Sequence, residues 1–284
     1  MKKLRRFIIF LSVVVLVFPL YAQAQRETPP LKIAKITESL YEATGGSGAN
    51  TGFFIGENQV VVIDAKMSKE SAVQMIEEIK KLTPNPVKCV ILTHSDGDHV
   101  NGLSGFPKGI EIISHRNSYQ HMDKAFEDLE LREHLPNITF SQEMNLYTEG
   151  EKIRLIHFYP AHTDGDIVVF FPEQKVAYIG DLIFLDRDPL IHKHKNGNSF
   201  GLVKTLKGIL GLEADIFIHG HGERAQKKDI QEFVDSLEKK QERIKNLINQ
   251  GKSLEEVKKE FGIEESESRR PSIVEIIYQE IKNL

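Results

Sequence analysis

Four apolar, β-prone segments far apart in the chain each break off at a histidine or an aspartate. This repetition constrains the fold more than any bulk property does. "CVILT" (89–93) runs into His94, Asp96, Asp98 and His99; "IRLIHFYPA" (153–161) runs into His162. "KVAYIG" (175–180) runs into Asp181, and "ADIFIHG" (214–220) into His221. Neutral imidazole and carboxylate oxygen are the usual enzyme-site ligands of zinc, iron and manganese. Loops at strand ends, held on a rigid sheet, are where such groups converge. A single His-rich turn would read as solvated surface. Four strand ends in chain order, each flanked by Gly or Pro, point to a metal centre assembled at one rim of a sheet.

The rest of the pattern fits one strand-rich domain with interleaved helices. Strand candidates lie in "KIAKITESLYEAT", "NTGFFIG" and "QVVVIDA", punctuated by "GGSGAN" and "GEN" turns. "SKESAVQMIEEIKKL" places Ala72, Met75, Ile76, Ile79 and Leu82 on one helical face. The strands "VKCVILT" and "IEIIS" follow, then a helix expected across 118–135. From Ile138 the short strands "ITF", "MNLYT", "KIRLIHFYP", "IVVFFP" and "KVAYIG" succeed one another, and "SFGLVKTLKGIL" reads as a helix. In the tail Ile230, Phe233, Val234, Leu237, Ile244, Leu247 and Ile248 recur at helical spacing, with Gly251 as a stop. Ser253 with Glu256, and Ser272 with Glu275, match capping boxes that open further helices.

The first residues address the chain for export. The basic "MKKLRR", an apolar run ending near Leu20 and the small-residue "AQA" ending at Ala24 predict a cleaved bacterial signal peptide over 1–24. The run is roughly 14 residues, short of the roughly 20 needed to span a bilayer. Cleavage removes four cations and no acid, which takes the formal charge from −4 to −8. So acidic a chain is a poor partner for nucleic acid or an anionic membrane. The expectation is therefore a periplasmic or secreted protein with a small-molecule substrate and no stable membrane anchor after cleavage; oligomeric state is left open. Cys89 is the only cysteine, so no internal disulfide forms, and its apolar strand marks it as a buried, inert thiol.

These motifs resemble the metallo-β-lactamase superfamily of αββα metallohydrolases. The family's first metal motif, T-H-x-H-x-D-H, is matched by "THSDGDH" (93–99), and its second by "AHTDGDIVVFF" (161–171). Its strand ending in Gly-Asp is matched by "AYIGDLIF" (177–184), and its Gly-His-Gly by Gly220–Gly222. "VVVIDA" supplies the usual early aspartate, Asp64. The resemblance covers about residues 32–224. It implies an α/β fold: an αββα four-layer sandwich of two mixed β-sheets flanked by helices. Residues 25–31 form a lead-in, and 225–284 a C-terminal helical extension packed on the domain. It further implies two divalent cations. His94, position 96 and His162 would hold the first; Asp98, His99 and His221 the second; and Asp181 would bridge them. Asp64 would orient a ligand from outside the site. His219 stands where the family often has proline, and the flanking glycines favour His221 as the ligand.

Asp96 departs from the family, which carries histidine there. It reads as a true ligand, as the mark of a weak first site in a one-metal enzyme, or as a disabled site kept for binding. In the first case Asp96, Asp98 and Asp181 with a bridging hydroxide cancel the four charges of two divalent cations. Such a neutral site favours harder metals relative to an all-imidazole one. Zinc is the first expectation, with iron or manganese the alternatives. Two cations about 3.5–4 Å apart would lower the pKa of a shared water to roughly 7. The resulting hydroxide would attack a substrate carbonyl or phosphoryl centre, with Asp98 as the catalytic proton carrier. His192, His194 and Asn198, in the segment after Asp181, are expected to border the substrate. His115, His121, His134 and His157 match no motif and read as structural or surface residues.

The implied activity is an exported metal-dependent hydrolase of an ester, thioester, lactone or β-lactam. Two other classes compete with it. One is a di-iron redox protein, since flavodiiron proteins carry an acid at the position of Asp96. The other is a binding protein that holds a ligand through its metals without turning it over.

Overall fold

The structure, a computed structural model, describes residues 29–263 and 270–283. The expected signal peptide lies outside the described residues. A seven-stranded sheet runs β1 (Lys32–Lys35), β2 (Leu40–Thr44), β3 (Thr51–Ile55), β4 (Val60–Ile63), β5 (Val87–Ile91), β6 (Glu111–His115) and β7 (Ile138–Phe140) in spatial order. It is antiparallel through β4 and parallel from β4 to β7. A five-stranded sheet holds β8 (Glu143–Thr148), β9 (Glu151–Ile156), β10 (Val168–Phe171), β11 (Val176–Gly180) and β12 (Ile216–His219). Its order is β12-β11-β10-β9-β8, with only the β11–β12 pair parallel.

The two sheets stack face to face because their strands are apolar on both sides. In β4, Val60 and Val62 face the helices while Val61 and Ile63 face the second sheet. In β10, Val169 and Phe171 enter the space between the sheets, and Val168 and Phe170 point outward. A period of two thus distributes each buried strand between two cores. Outside the first sheet, α1 (Lys69–Leu82) contributes Met75, Ile76 and Ile79, and α3 (Arg116–Ala125) contributes Met122, to the outer core. Outside the second sheet, α5 (Ser199–Leu210), α6 (Lys227–Asn249), α7 (Leu254–Glu260) and α8 (Ile273–Lys282) share one core with β10, β11 and β12. This is the four-layer αββα sandwich. Among the described residues, no helix is long and apolar enough to cross a membrane.

Three local expectations change. The candidate strand 32–44 is a hairpin, turned where Ile36 N–H and Thr37 N–H donate to Leu40 O. The helix expected across 118–135 is broken into α3 and a single turn, α4 (Leu129–Arg132). Phe126 leaves helical geometry and is buried in the outer core, while Asp128 accepts from Glu130 N–H and Leu131 N–H and restarts the chain. Leu82, the last residue of α1, is 48% exposed rather than on the buried face. The tail behaves as its caps suggest: Ser253 and Glu256 satisfy each other's backbone N–H groups, and Gly251 takes φ +80 after α6.

Parallel pairing places the chemistry. β4 with β5, and β11 with β12, run side by side in the same direction. The residues just past their C-terminal ends, Asp64, His94, Asp181 and His221, therefore emerge at one rim.

Candidate metal centre

The rim is organised from Asp64. Immediately after β4 this residue takes φ 64, a left-handed conformation that aspartate tolerates better than most side chains. Its carboxylate accepts from Thr93 N–H (2.7 Å), Thr93 Oγ1–H (2.7 Å) and His99 Nδ1–H (2.8 Å). That bond fixes the His99 tautomer and leaves Nε2 to face Asp181 Oδ1 at 3.1 Å. His162 is oriented in the same way: Nδ1–H donates to Leu190 O (2.7 Å), and Nε2 lies 3.1 Å from Asp96 Oδ2. A single helical turn, α2 (Gly97–Val100), carries Asp98 and His99 into place. Glycine at 220 is required by proximity, because a Cβ there would stand 2.0 Å from Asp181 Oδ1.

Three groups of potential ligands result. Asp98, His99, Asp181 and His221 bring donor atoms within 4.8 Å of one another; so do His94, His162 and Asp181, and so do Asp96, His162 and His192. All seven side chains proposed from the sequence as ligands belong to this connected cluster, with Asp181 and His162 each in two groups. His94 Nε2 is buried and has no hydrogen-bond partner. Buried polar atoms are almost always satisfied, so an orphaned imidazole nitrogen among carboxylates fits a cation. The donor set, imidazole nitrogen with carboxylate oxygen, suits zinc, iron or manganese.

The charges of the cluster act on one another at close range. Burial and the adjacent His99 push His94 well below the usual histidine value, so its lone pair is available. Burial pushes Asp181 up, but His99 and His221 beside it outweigh this and hold it well below the carboxylate range. Hydrogen bonds to Asp181 and Asp98 raise His221 to about 9. The acids are thus ionised and draw positive charge to the rim.

The substrate-facing expectations are partly revised. His192 and His194 line a cavity of about 790 Å³ that opens over Asp96, Asp98, Asp181 and His221. His192 also donates to Asp96, Nε2 to Oδ2, at 2.7 Å. Asn198 does not line this cavity. It is the N-cap of α5, where its Oδ1 accepts from Gly201 N–H (2.7 Å), the local bond that makes asparagine a favoured cap. His219 is buried in β12 outside the donor groups. His115 caps α3, and His121 pairs with Asp164 at 2.7 Å. His134 contacts Glu130 O and Phe106 O, and His157 contacts Asp166 O.

Sequence reasoning passed over three residues that shape the rim. Asp166 accepts from Thr163 N–H and Thr163 Oγ1–H and so fixes the turn after His162; it lay within the quoted "AHTDGDIVV" stretch. Asn50 donates through Nδ2 to His219 O and Gly222 O, tying the 45–50 loop to the Gly-His-Gly turn. Lys195 donates to Asp96 Oδ1 at 2.7 Å. Neither Asn50 nor Lys195 carries a local signal, since a lysine in a polar loop reads as solvated.

Lys66 underlies the same loop. Fully buried, its Nζ donates to Ala43 O, Gly45 O and Ala49 O. Burial lowers its pKa from 10.5 to about 8, against the opposing pull of Asp64 and Glu42. Between those two values the unfolded chain binds more protons than the folded one, so this residue makes stability rise with pH. Melting measured from pH 8 to pH 10.5 is expected to show that slope in the wild type and to lose it in Lys66→Met.

Comparison with known proteins agrees with the geometry. Residues 44–221 match the model of the metallo-beta-lactamase superfamily. A hydroxyacylglutathione hydrolase of Haemophilus influenzae is 30% identical over 181 residues, covering 58% of this chain and 81% of that protein. The alpha subunit of a 2,4-dinitroanisole O-demethylase of Nocardioides sp. is 25% identical over 179 residues; the match takes in 62% of this chain and about half (53%) of that subunit's length. The solved metallo-beta-lactamase from Pontibacter korlensis superposes with a TM-score of 0.66 at 17% identity, over 74% of this chain and 99% of that one. Motifs that converge in space and a family match spanning most of both sheets lead to one conclusion: the chain belongs to the metallo-beta-lactamase superfamily.

Proposed function

We propose that the chain is an exported metal-dependent hydrolase of small anionic substrates bearing an ester, thioester, lactone or β-lactam bond. The observation that carries this reading is the sharing of Asp181 and His162 between adjacent donor groups beneath an open cavity. His94, Asp96 and His162 would hold one cation, Asp98, His99 and His221 the other, and Asp181 would touch both. Zinc is our first assignment, with iron or manganese as alternatives. A bound pair would lower the pKa of water from about 15.7 to roughly 7 and polarise a substrate carbonyl. Asp98, partly open to the cavity with Oδ2 3.1 Å from His221 Nε2, would take a proton and pass it to the leaving group. Asp64 and the Leu190 carbonyl accept from Nδ1–H of His99 and His162, so Nε2 would be the ligand atom of each ring.

The preference for an anion comes from the cavity wall. Although the chain is acidic, Arg187 and Arg270 line this cavity, together with Lys193 and Lys195, which are paired with Glu280 (2.8 Å) and Asp96 (2.7 Å). Cations gathered at a cleft raise the local concentration of an anionic substrate. Arg187 is exposed, so its effect is moderate. Arg187→Ala is expected to raise KM for anionic esters about three- to tenfold while leaving kcat and neutral esters unchanged.

The division into a lead-in (25–31), a metal-binding domain (32–224) and a helical extension (225–284) belongs to the same proposal, as does export. Recovery from the periplasm or medium with an N-terminus after Ala24 is the check on export. For function, protein produced from Gln25 onward would be analysed for metals and offered a panel of esters, thioesters, lactones and nitrocefin. Two equivalents of divalent metal and turnover of at least one panel member are expected. Full activity after exhaustive chelation would remove the reading. Bound iron with visible absorption and oxygen consumption but no hydrolysis would replace it with redox chemistry.

A further inference from the structure

An aspartate at position 96 takes one positive charge from the site relative to a neutral imidazole there. The fold supplies a specific answer to that loss. Lys195 Nζ donates to Asp96 Oδ1 at 2.7 Å, and also to Ser95 O (3.0 Å) and Ser95 Oγ (3.2 Å), so all three ammonium protons are committed. Its side chain is largely covered, at 17% exposure. The loop carrying it is pinned to the His162 loop through His192 N–H to His162 O (2.8 Å) and Asp164 N–H to Lys195 O (2.9 Å).

Asp96 stands at the N-cap of α2, yet its carboxylate makes no cap bond. One oxygen goes to Lys195. The other, Oδ2, is left facing His162 Nε2 (3.1 Å), His192 Nε2 (2.7 Å) and His94 Nε2 (3.9 Å). A carboxylate with one oxygen tied is presented through the other alone. An ammonium at this distance also offsets its charge in a partly desolvated setting, where screening is weak.

We propose that Lys195 is a positioning residue specific to the aspartate at 96: it fixes that carboxylate for the first cation and restores the positive charge that the imidazole-to-carboxylate exchange removes. The inference rests on the two-cation reading above. It predicts that the two positions are coupled, because Asp96→His makes the lysine's charge superfluous. Wild type and the Asp96→His/Lys195→Met double variant carry the same site charge, whereas Lys195→Met alone carries one unit less.

The test uses zinc-loaded protein and inorganic phosphate as the anion, with calorimetric Kd and zinc content as readouts. Lys195→Met should bind the first zinc about tenfold more weakly and, once saturated with zinc, bind phosphate about tenfold more weakly. Lys195→Arg, which keeps the charge, should bind within about threefold of wild type, and so should the double variant. Phosphate affinity in Lys195→Met equal to wild type overturns the inference. So does a double variant as weak as Lys195→Met, which would mean that the lysine acts independently of Asp96. So does zinc content that rises on removing Lys195, which would mean that the lysine sequesters the carboxylate from the metal. Wild-type protein that holds fewer than two zinc ions would instead defeat the two-cation reading, and zinc analysis detects that before any phosphate is added. Should Lys195→Met fail to fold, Lys195→Gln takes its place under the same criteria.

Discussion

Asp181→Ala is expected to strip the protein of most of its bound metal and to lower kcat/KM on the order of 10³-fold or more. Asp181 is the side chain common to the Asp98–His99–His221 group and the His94–His162 group. Its removal would therefore deprive both proposed cation positions at once. Residues that merely orient a ligand typically cost roughly 10–100-fold in metal affinity or activity, and a shared ligand should exceed that range. Elemental analysis after gel filtration, with activity on whichever panel substrate is turned over, measures both consequences. A variant that still retained two equivalents of metal would show that Asp181 does not bridge.

Asp64→Ala is expected to act on stability and metal affinity together, although the residue touches no proposed cation. Its carboxylate is the acceptor for three donors: Thr93 N–H, Thr93 Oγ1–H and His99 Nδ1–H. All of these are buried. A buried donor left without a partner costs about 1–3 kcal/mol. The summed loss should be about 3–5 kcal/mol, since all three donors lose their one carboxylate acceptor and the surrounding site relaxes only in part. Freed of this bond, His99 can rotate or change tautomer, and zinc affinity should fall roughly 10–100-fold. Asp64→Asn tolerates the left-handed backbone and keeps an acceptor, so it should fall between the two. Urea unfolding with zinc titration separates these effects. Wild-type stability and affinity in Asp64→Ala would refute the role given to the carboxylate.

The legible parts of the fold were those written in short-range periodicity. The apolar runs of β4, β5, β10 and β11, the α1 face through Ile79, and the limits of α5 all follow from spacing and caps. The misread parts depended on contacts distant in sequence. Phe126 ends α3 because a pocket against the first sheet accepts it, and nothing within 118–135 encodes that pocket. Asn198 looked like a cavity residue because it follows a histidine-rich stretch, but its side chain closes the first turn of α5.

The candidate site divides along the same line. Each candidate ligand type, its strand end and its flanking Gly or Pro were written locally, so the sequence alone offered the seven side chains that the structure gathers into one cluster, though it did not single out His192 as a further donor beside Asp96. Which of them come together in one donor group, and what surrounds them, depended on the parallel pairing of β4 with β5 and β11 with β12 and on the packing of the 192–197 loop against His162. The charge balance at Asp96 shows the difference most clearly. Counted along the chain it is a surplus negative charge, and only the tertiary structure places Lys195 against it. Electrostatic energy depends on distance through space, and a pattern of neighbours along the chain does not contain that distance.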